Sequence, residues 1–190
     1  MKNCKNIILD IIKTHENIIN ETDFSEIDEI ISLLLKTVKK NNSIFWAGNG
    51  GSAAECQHMS AELIGRFKID RKPLKSVSLT VDTSAITAIS NDFGYDKVFS
   101  RQIEGLGTNK DVLIVLSTSG NSENITRVLK SCKKIGIKTI AFLGNNGGKS
   151  KYYATHKVII NSKNTARIQE LHQILLHYIC ESIESEMFKK

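Results

Sequence analysis

From Ser43 onward the chain repeats one pattern: a short apolar run, a turn of small polar residues, then a stretch with helical spacing. The runs are SIFWAG, KSVSLT, DVLIVLS, KTIAFLG and HKVIIN. Runs this short and continuously apolar read as strands buried on both faces, the condition of a parallel sheet covered by helices. Parallel neighbours need crossovers, and helical segments fill the intervals at 52–66, 83–104 and 122–135, with a shorter one near 149–154. The pattern predicts an α/β fold: a doubly wound parallel five-stranded sheet flanked by helices.

Two further helices precede the sheet. Residues 3–20 carry Ile8, Ile11, Ile12 and Ile19 at helical spacing, and 24–40 carry Ile27, Ile30, Ile31, Leu34, Leu35 and Val38. A last helix is expected from Thr165 to about Met187, with Ile168, Leu171, Leu175, Ile179 and Ile183 along one side. These outer helices exceed what one small sheet needs to cover, so the N-terminal pair is expected to serve oligomer packing. A chain of 190 residues, 41% hydrophobic and 24% charged, fits a single domain over 1–190, with helices in 1–42 and the sheet-and-helix body in 43–190.

Several classes of function are excluded early. The N-terminal IILDII is interrupted by Asp10 and flanked by Lys5 and Lys13, too short and charged for a membrane span or a signal peptide. A cytoplasmic protein is expected. Cys4, Cys56, Cys132 and Cys180 are scattered without a CxxC pair, which suits reduced thiols rather than a disulfide framework or a cysteine zinc site. The net charge is +6, but Lys and Arg are spread along the chain with no aromatic-interleaved patch. A small anion is the expected partner, not nucleic acid.

In a doubly wound sheet, ligands sit outside the carboxyl ends of the strands. There the DVLIVL strand runs into LSTSGNS, four hydroxyls around one glycine, and Asn121 or Ser122 can cap the helix that follows. Unpaired N–H groups, the macrodipole and nearby hydroxyls make an anion site without lysine. Ser117, Thr118, Ser119 and Ser122 therefore form a candidate phosphate cradle. FWAGNGGSAAE repeats the construction, with Gly48, Gly50 and Gly51 between strand and helix, but it is neither a P-loop nor a GxGxxG fingerprint. On the helix after it, CQHMSAELIGR places His58 and Glu62 at i and i+4, where they can meet a metal ion or a substrate together. The last helix carries RIQELHQILLHYI, in which Gln169 and His177 break the apolar pattern.

Taken together, NGGS, HMSAELIGR, NDFG, STSGNS and TARIQELH resemble the phosphoheptose isomerases of the sugar isomerase (SIS) family, over nearly the whole chain. The segments FKIDRKPLKS and NSKN are less familiar. The resemblance implies a homotetramer that converts sedoheptulose 7-phosphate to glycero-manno-heptose 7-phosphate, the first step towards bacterial surface heptose. It implies substrate contacts at Asn49, Gly50, Gly51, Ser52, Asn91, Asp92, Ser117, Thr118, Ser119, Ser122 and Gln169, with Arg66 as a further polar contact. It also implies one zinc ion per subunit, held by His58, Glu62, Gln169 and His177.

The chemistry agrees with that implication. Aldose–ketose conversion moves a proton between neighbouring carbons through an enediol, and needs a base over carbon and a group serving both oxygens. Glu62 fits the first role and His177 the second, while zinc would polarise the carbonyl. Some SIS proteins instead sense sugar phosphates or bind a replication initiator without catalysis; retention of Glu62 and His177 separates this chain from them. Gln169 and His177 lie eight residues apart, about 12 Å along a straight helix, so a site at a subunit junction or a bend in the helix is expected. Replacing Ser119 or Ser122 by Ala removes a hydroxyl donor to a charged ligand and should weaken sugar-phosphate binding at least about tenfold per site, with the fold intact. Unchanged binding by calorimetry would remove STSGNS from the site.

Overall fold

The computed structural model describes residues 3–188. Met1, Lys2, Lys189 and Lys190, where the 1–190 span and the 1–42 segment begin or end, lie outside the described residues. Strands β1 (Ile44–Gly48), β2 (Ser76–Ser78), β3 (Val112–Ser117), β4 (Lys138–Gly144) and β5 (His156–Ile160) form one sheet in the order β2-β1-β3-β4-β5. Every pairing is parallel, and each strand lies within the apolar run that predicted it.

The helices are α1 (Cys4–Asn20), α2 (Ile27–Lys39), α3 (Gly51–Ile64), α4 (Thr83–Phe93), α5 (Val98–Leu106), α6 (Glu123–Ile135) and α7 (Thr165–Phe188). Strand side chains alternate between two cores, as the pleat requires. Ile44, Trp46, Ile114, Leu116, Ile140 and Phe142 pack with α2, α3 and α7. Phe45, Ala47, Leu113, Val115, Ala141 and Leu143 pack with α5 and α6. The helix expected over 83–104 is broken: Gly94 takes φ 90°, a left-handed value that suits glycine, and a 3-10 turn over Tyr95–Lys97 redirects the chain into α5. The segment near 149–154 is likewise a single 3-10 turn, Ser150–Tyr152.

Strand β1 sits between β2 and β3, so the chain leaves it towards one edge and returns on its other side. The carboxyl ends of β1 and β3 therefore border the crevice where this topology binds ligands. On the outside, α1 buries only Ile18, while Ile7, Ile8, Leu9 and Ile12 remain 44, 51, 52 and 51% exposed.

Beyond α3 the chain is anchored by one buried ion pair. Arg71 Nε lies 3.0 Å from Glu184 Oε1 on α7, with side chains 2% and 5% exposed. Glu184 also accepts from the backbone N–H groups of Phe67, Lys68 and Ile69, and Arg71 donates to the carbonyls of Glu62, Leu63 and Gly65. Both charges are thus hydrogen-bonded on all sides, the condition under which a buried pair is tolerated. Burial pushes the Glu184 carboxyl up, and the N–H groups of Lys68, Phe67 and Ile69 with Arg71 more than offset it, holding the group below its ordinary value of 4.5.

Glu184→Ala should leave Arg71 buried without its partner and cost about 3–5 kcal/mol. For a chain of this size that is a fall in Tm of roughly 6–20 °C by calorimetry. Because the folded-state value is depressed, the contribution is full above the ordinary 4.5 and is lost as pH falls through it, so the gap between the two proteins should close in acid. A loss under about 2 °C at pH 7 would show that the strap is not an anchor.

Candidate functional site

The loop after β1 is built for close approach. Gly50 takes φ 55°, and α3 begins directly after it with no side chain capping its first turn. Its free N–H groups face the crevice. Asn49 exchanges two side-chain hydrogen bonds with Asn124 on α6, at 2.9 and 2.8 Å, and Tyr95 donates its hydroxyl to Asn49 at 2.9 Å. The two loops bordering the crevice are therefore tied together across it. Ser52 is buried, while Asn91 and Asp92 end α4 as an exposed, mutually hydrogen-bonded pair.

The second loop folds around its own hydroxyls. Ser117 Oγ accepts from Gly120 N–H and Ser119 Oγ from Asn121 N–H, each at 3.1 Å. Gly120 has φ 63°, and a Cβ there would lie 2.2 Å from the Gly147 carbonyl oxygen, so only glycine fits between this loop and the one after β4. Ser122 stands at the N-cap of α6 in an extended conformation, but its side chain makes no capping bond. Its hydroxyl and that of Thr118 remain free for an anion at the helix N-terminus.

Chemistry of another kind lies along α3 and α7, which run side by side in the same direction. Gln169 packs its carboxamide on Gly51, and Cys180 meets Met59. Between those contacts, His58 Nε2 lies 3.1 Å from Glu62 Oε1 and 3.2 Å from His177 Nε2. Ligand atoms of His58, Glu62 and His177 all fall within 4.8 Å of one another. Two imidazoles and a carboxylate are a donor set that suits zinc. Phe67 stacks on the His177 ring, with centroids 5.7 Å apart and planes 14° from parallel, and Gln173 Nε2 approaches His177 Nε2 at 3.3 Å.

Three of the four predicted metal ligands thus meet within one chain. Helix α7 runs unbroken through both Gln169 and His177, and Gln169 makes no hydrogen bond to the other three. Arg66 is exposed just beyond α3, with no hydrogen bond or ion pair. His172 belongs to the core: it is fully buried, its Nε2 lies 3.2 Å from the Leu143 carbonyl, and burial lowers its pKa to about 4. It stays neutral and takes no part in proton transfer. Cys56, Cys132 and Cys180 are buried thiols whose pKa burial raises, to about 12 for the last two, so they are inert.

Glu55 is a carboxyl on the same face of α3 that the sequence did not single out. With Gly51, His58 and Glu62 it shares one face of α3, a spacing visible in the sequence but not distinguishable there from a solvated carboxylate. Its Oε2 is buried without a hydrogen-bond partner, and burial raises its pKa to about 7 against a smaller opposing effect of the Ser52 hydroxyl. Asn124 had a weaker signal, a carboxamide in an otherwise buried helix position, whereas Tyr95 and Phe67 had none.

The SIS domain profile matches residues 9–144 of the chain. The phosphoheptose isomerase of Clostridium acetobutylicum is 44% identical over 178 residues, 93% of this chain and 91% of that one. The chain belongs to the phosphoheptose isomerases of the SIS family. Among solved structures, phosphoheptose isomerase GmhA from Neisseria gonorrhoeae superposes with a TM-score of 0.82 at 37% identity, covering 93% of this chain and 92% of its own. A phosphoheptose isomerase from Francisella tularensis gives a TM-score of 0.88 at 28% identity, covering 96% and 99%. The doubly wound parallel sheet expected from the apolar runs, and the SIS fold that the resemblance implies, are what these proteins share with this chain.

The unpaired carboxyl yields a prediction with a definite sign. A raised folded-state value means that Glu55 contributes stability below its ordinary 4.5, and that this is lost as pH rises through about 7. Glu55→Gln should therefore match the parent near pH 4.5 and melt roughly 1–5 °C higher at pH 8. A difference in Tm that stays constant across this range would show that a partner holds the carboxylate in solution.

Proposed function

We propose that this chain is an aldose–ketose isomerase that converts sedoheptulose 7-phosphate to D-glycero-D-manno-heptose 7-phosphate. The observation that carries the proposal is the convergence of Glu62, His58 and His177, in a chain 44% identical to a named phosphoheptose isomerase over 93% of its length. Ser117, Thr118, Ser119 and Ser122 with the N-terminus of α6 hold the phosphate. Asn49, Gly50, Gly51, Ser52, Asn91, Asp92, Arg66 and Gln169 hold the sugar.

Glu62 then takes a proton from C1 of the ketose, and the electron pair of that C–H bond forms the C1–C2 double bond of the enediolate. His177 carries a proton between the two oxygens. Return of the first proton to C2 leaves the aldehyde at C1, so atoms and charge balance without a redox partner. His58, Glu62, Gln169 and His177 would hold one zinc ion per subunit. Bound there, zinc would supply Lewis-acid stabilisation of negative charge on oxygen.

The assembly belongs to the proposal too. Residues 1–190 act as one SIS domain in a homotetramer, with the N-terminal helices as packing arms and sites at subunit junctions. The exposed isoleucines of α1 support this, because a free surface seldom presents so many adjacent aliphatic side chains. No helix among the described residues is long and apolar enough to cross a membrane. We place the protein in the cytoplasm, independent of nucleic acid, at the first step of ADP- or GDP-heptose precursor synthesis for lipopolysaccharide or capsule.

Glu62→Gln should still bind sedoheptulose 7-phosphate yet lose about 10²–10⁴-fold in turnover, because an amide cannot accept the proton. The measurement is exchange of the C1 proton with deuterated water, followed by NMR alongside bound metal. Exchange persisting undiminished in Glu62→Gln would sink its assignment as the base. Absence of exchange in the parent protein would point to a sugar-phosphate sensor.

A further inference from the structure

The basic residues are dispersed in the sequence, yet the fold gathers five of them. Helices α5 and α6 lie side by side, with Arg127 ion-paired to Asp96 at 2.9 Å and Ser131 donating to Glu104 Oε1 at 2.6 Å. Lys97 and Arg101 line one wall of the groove between them; Arg127, Lys130 and Lys134 line the other. Their spacings, i and i+4 on one side and i, i+3, i+7 on the other, keep each row on a single helix face. The groove encloses about 350 Å³, and Glu104 is the one carboxylate in its lining.

Two rows of cations facing each other repel, and little inside the protein relieves them. Glu104 Oε1 accepts from the Ser131 hydroxyl, and Glu104 forms no ion pair with the groove cations among the described residues. Asp96 and, at 3.5 Å, Glu123 neutralise Arg127 alone, and neither Lys97 nor Lys134 has an ion pair among the described residues. Aromatic faces hold two of the cations in place: Arg101 lies 3.8 Å from the Phe93 ring centroid and Lys130 4.8 Å from that of Tyr153. Arg127 Nε is buried with no hydrogen-bond partner, a donor that lacks its acceptor.

We infer that the α5–α6 groove binds a diphosphate, inorganic or as part of an organic ester, at a site separate from the Ser117–Ser122 loop. The length of the groove argues for two phosphates, since Arg127 and Lys134 are seven residues apart, about 10 Å along the helix, more than one phosphate spans. The charge agrees, since with Arg127 paired to Asp96 and Glu123 the remaining Lys97, Arg101, Lys130 and Lys134 face Glu104 alone, a surplus of about three that matches two phosphates of about −1.5 each better than one. The volume, at the low end for ligand pockets, favours a small polyanion over a large cofactor.

The test uses inorganic diphosphate and the full chain at fixed ionic strength, titrated by calorimetry in a Ser119→Ala, Ser122→Ala background that silences the phosphate loop. One saturable site should remain there. Adding Lys97→Gln, Lys130→Gln and Lys134→Gln should weaken it about tenfold or more, at the two- to five-fold typical of each exposed charge pair, while the unliganded Tm stays level or rises. Lys134→Gln alone should weaken it about two- to five-fold, which keeps the test valid if the triple variant misfolds. Absence of saturable binding in the serine background, or an affinity indifferent to the lysine substitutions, overturns the inference. Neither result depends on isomerase activity.

Discussion

Helices α3 and α7 must lie close, parallel and in one register for anything at this site to work. A glycine makes the approach possible: a Cβ at Gly51 would fall 2.6 Å from the Gln169 carboxamide nitrogen. Seven residues further along α3 and eight along α7, His58 and His177 meet, a difference of one residue over two turns that near-parallel helices absorb easily. The far end is fixed by Arg71 and Glu184, which bind the last carbonyls of α3 and the segment 67–69 to α7. With the pair pinned at both ends, the imidazoles and the carboxylate between them have no freedom to slide apart.

The sheet supplies the other half of the site. Because β1 lies between β2 and β3, its loop and that of β3 open into the same crevice, and the paired carboxamides of Asn49 and Asn124 lock one to the other. The anion binding proposed there would rest on backbone N–H groups, a helix dipole and neutral hydroxyls.

The sequence revealed the parts whose causes are local. Strands buried on both faces must be nearly continuous apolar runs, so the central β1, β3 and β4 were legible, the half-buried edge strands β2 and β5 followed from the same alternation with turns and helices, and so did the glycine and hydroxyl chemistry at the ends of β1 and β3. The break at Gly94 was not, because asparagine, aspartate and phenylalanine before it continue a helix well enough until φ turns positive. Long-range pairings were hidden for a different reason. Arg71 and Glu184 are 113 residues apart, Phe67 and His177 are 110 apart in a segment without periodicity, and nothing in either neighbourhood names the other. Glu55 was visible as a position on the right helix face but not as a buried group, since burial is a property of what packs on it. The groove cations escaped notice because each row, taken alone, looks like an ordinary solvated helix face.

The proposed mechanism asks Glu62 to be both a metal ligand and a base, and coordination lowers the basicity of any carboxylate. The geometry divides the two tasks between its oxygens. Oε1 faces His58 at 3.1 Å, inside the cluster with His177, whereas Oε2 carries no hydrogen bond on a side chain still 23% exposed. Three electron-rich atoms gathered this closely are stable only with a positive particle among them, whether a proton shared in the His58–His177 contact or a cation held by all three. Either occupant draws on Oε1 and leaves Oε2 uncommitted. In the proposed mechanism that oxygen serves carbon, and the second imidazole, held in place by its stacking on Phe67, hands a proton to oxygen.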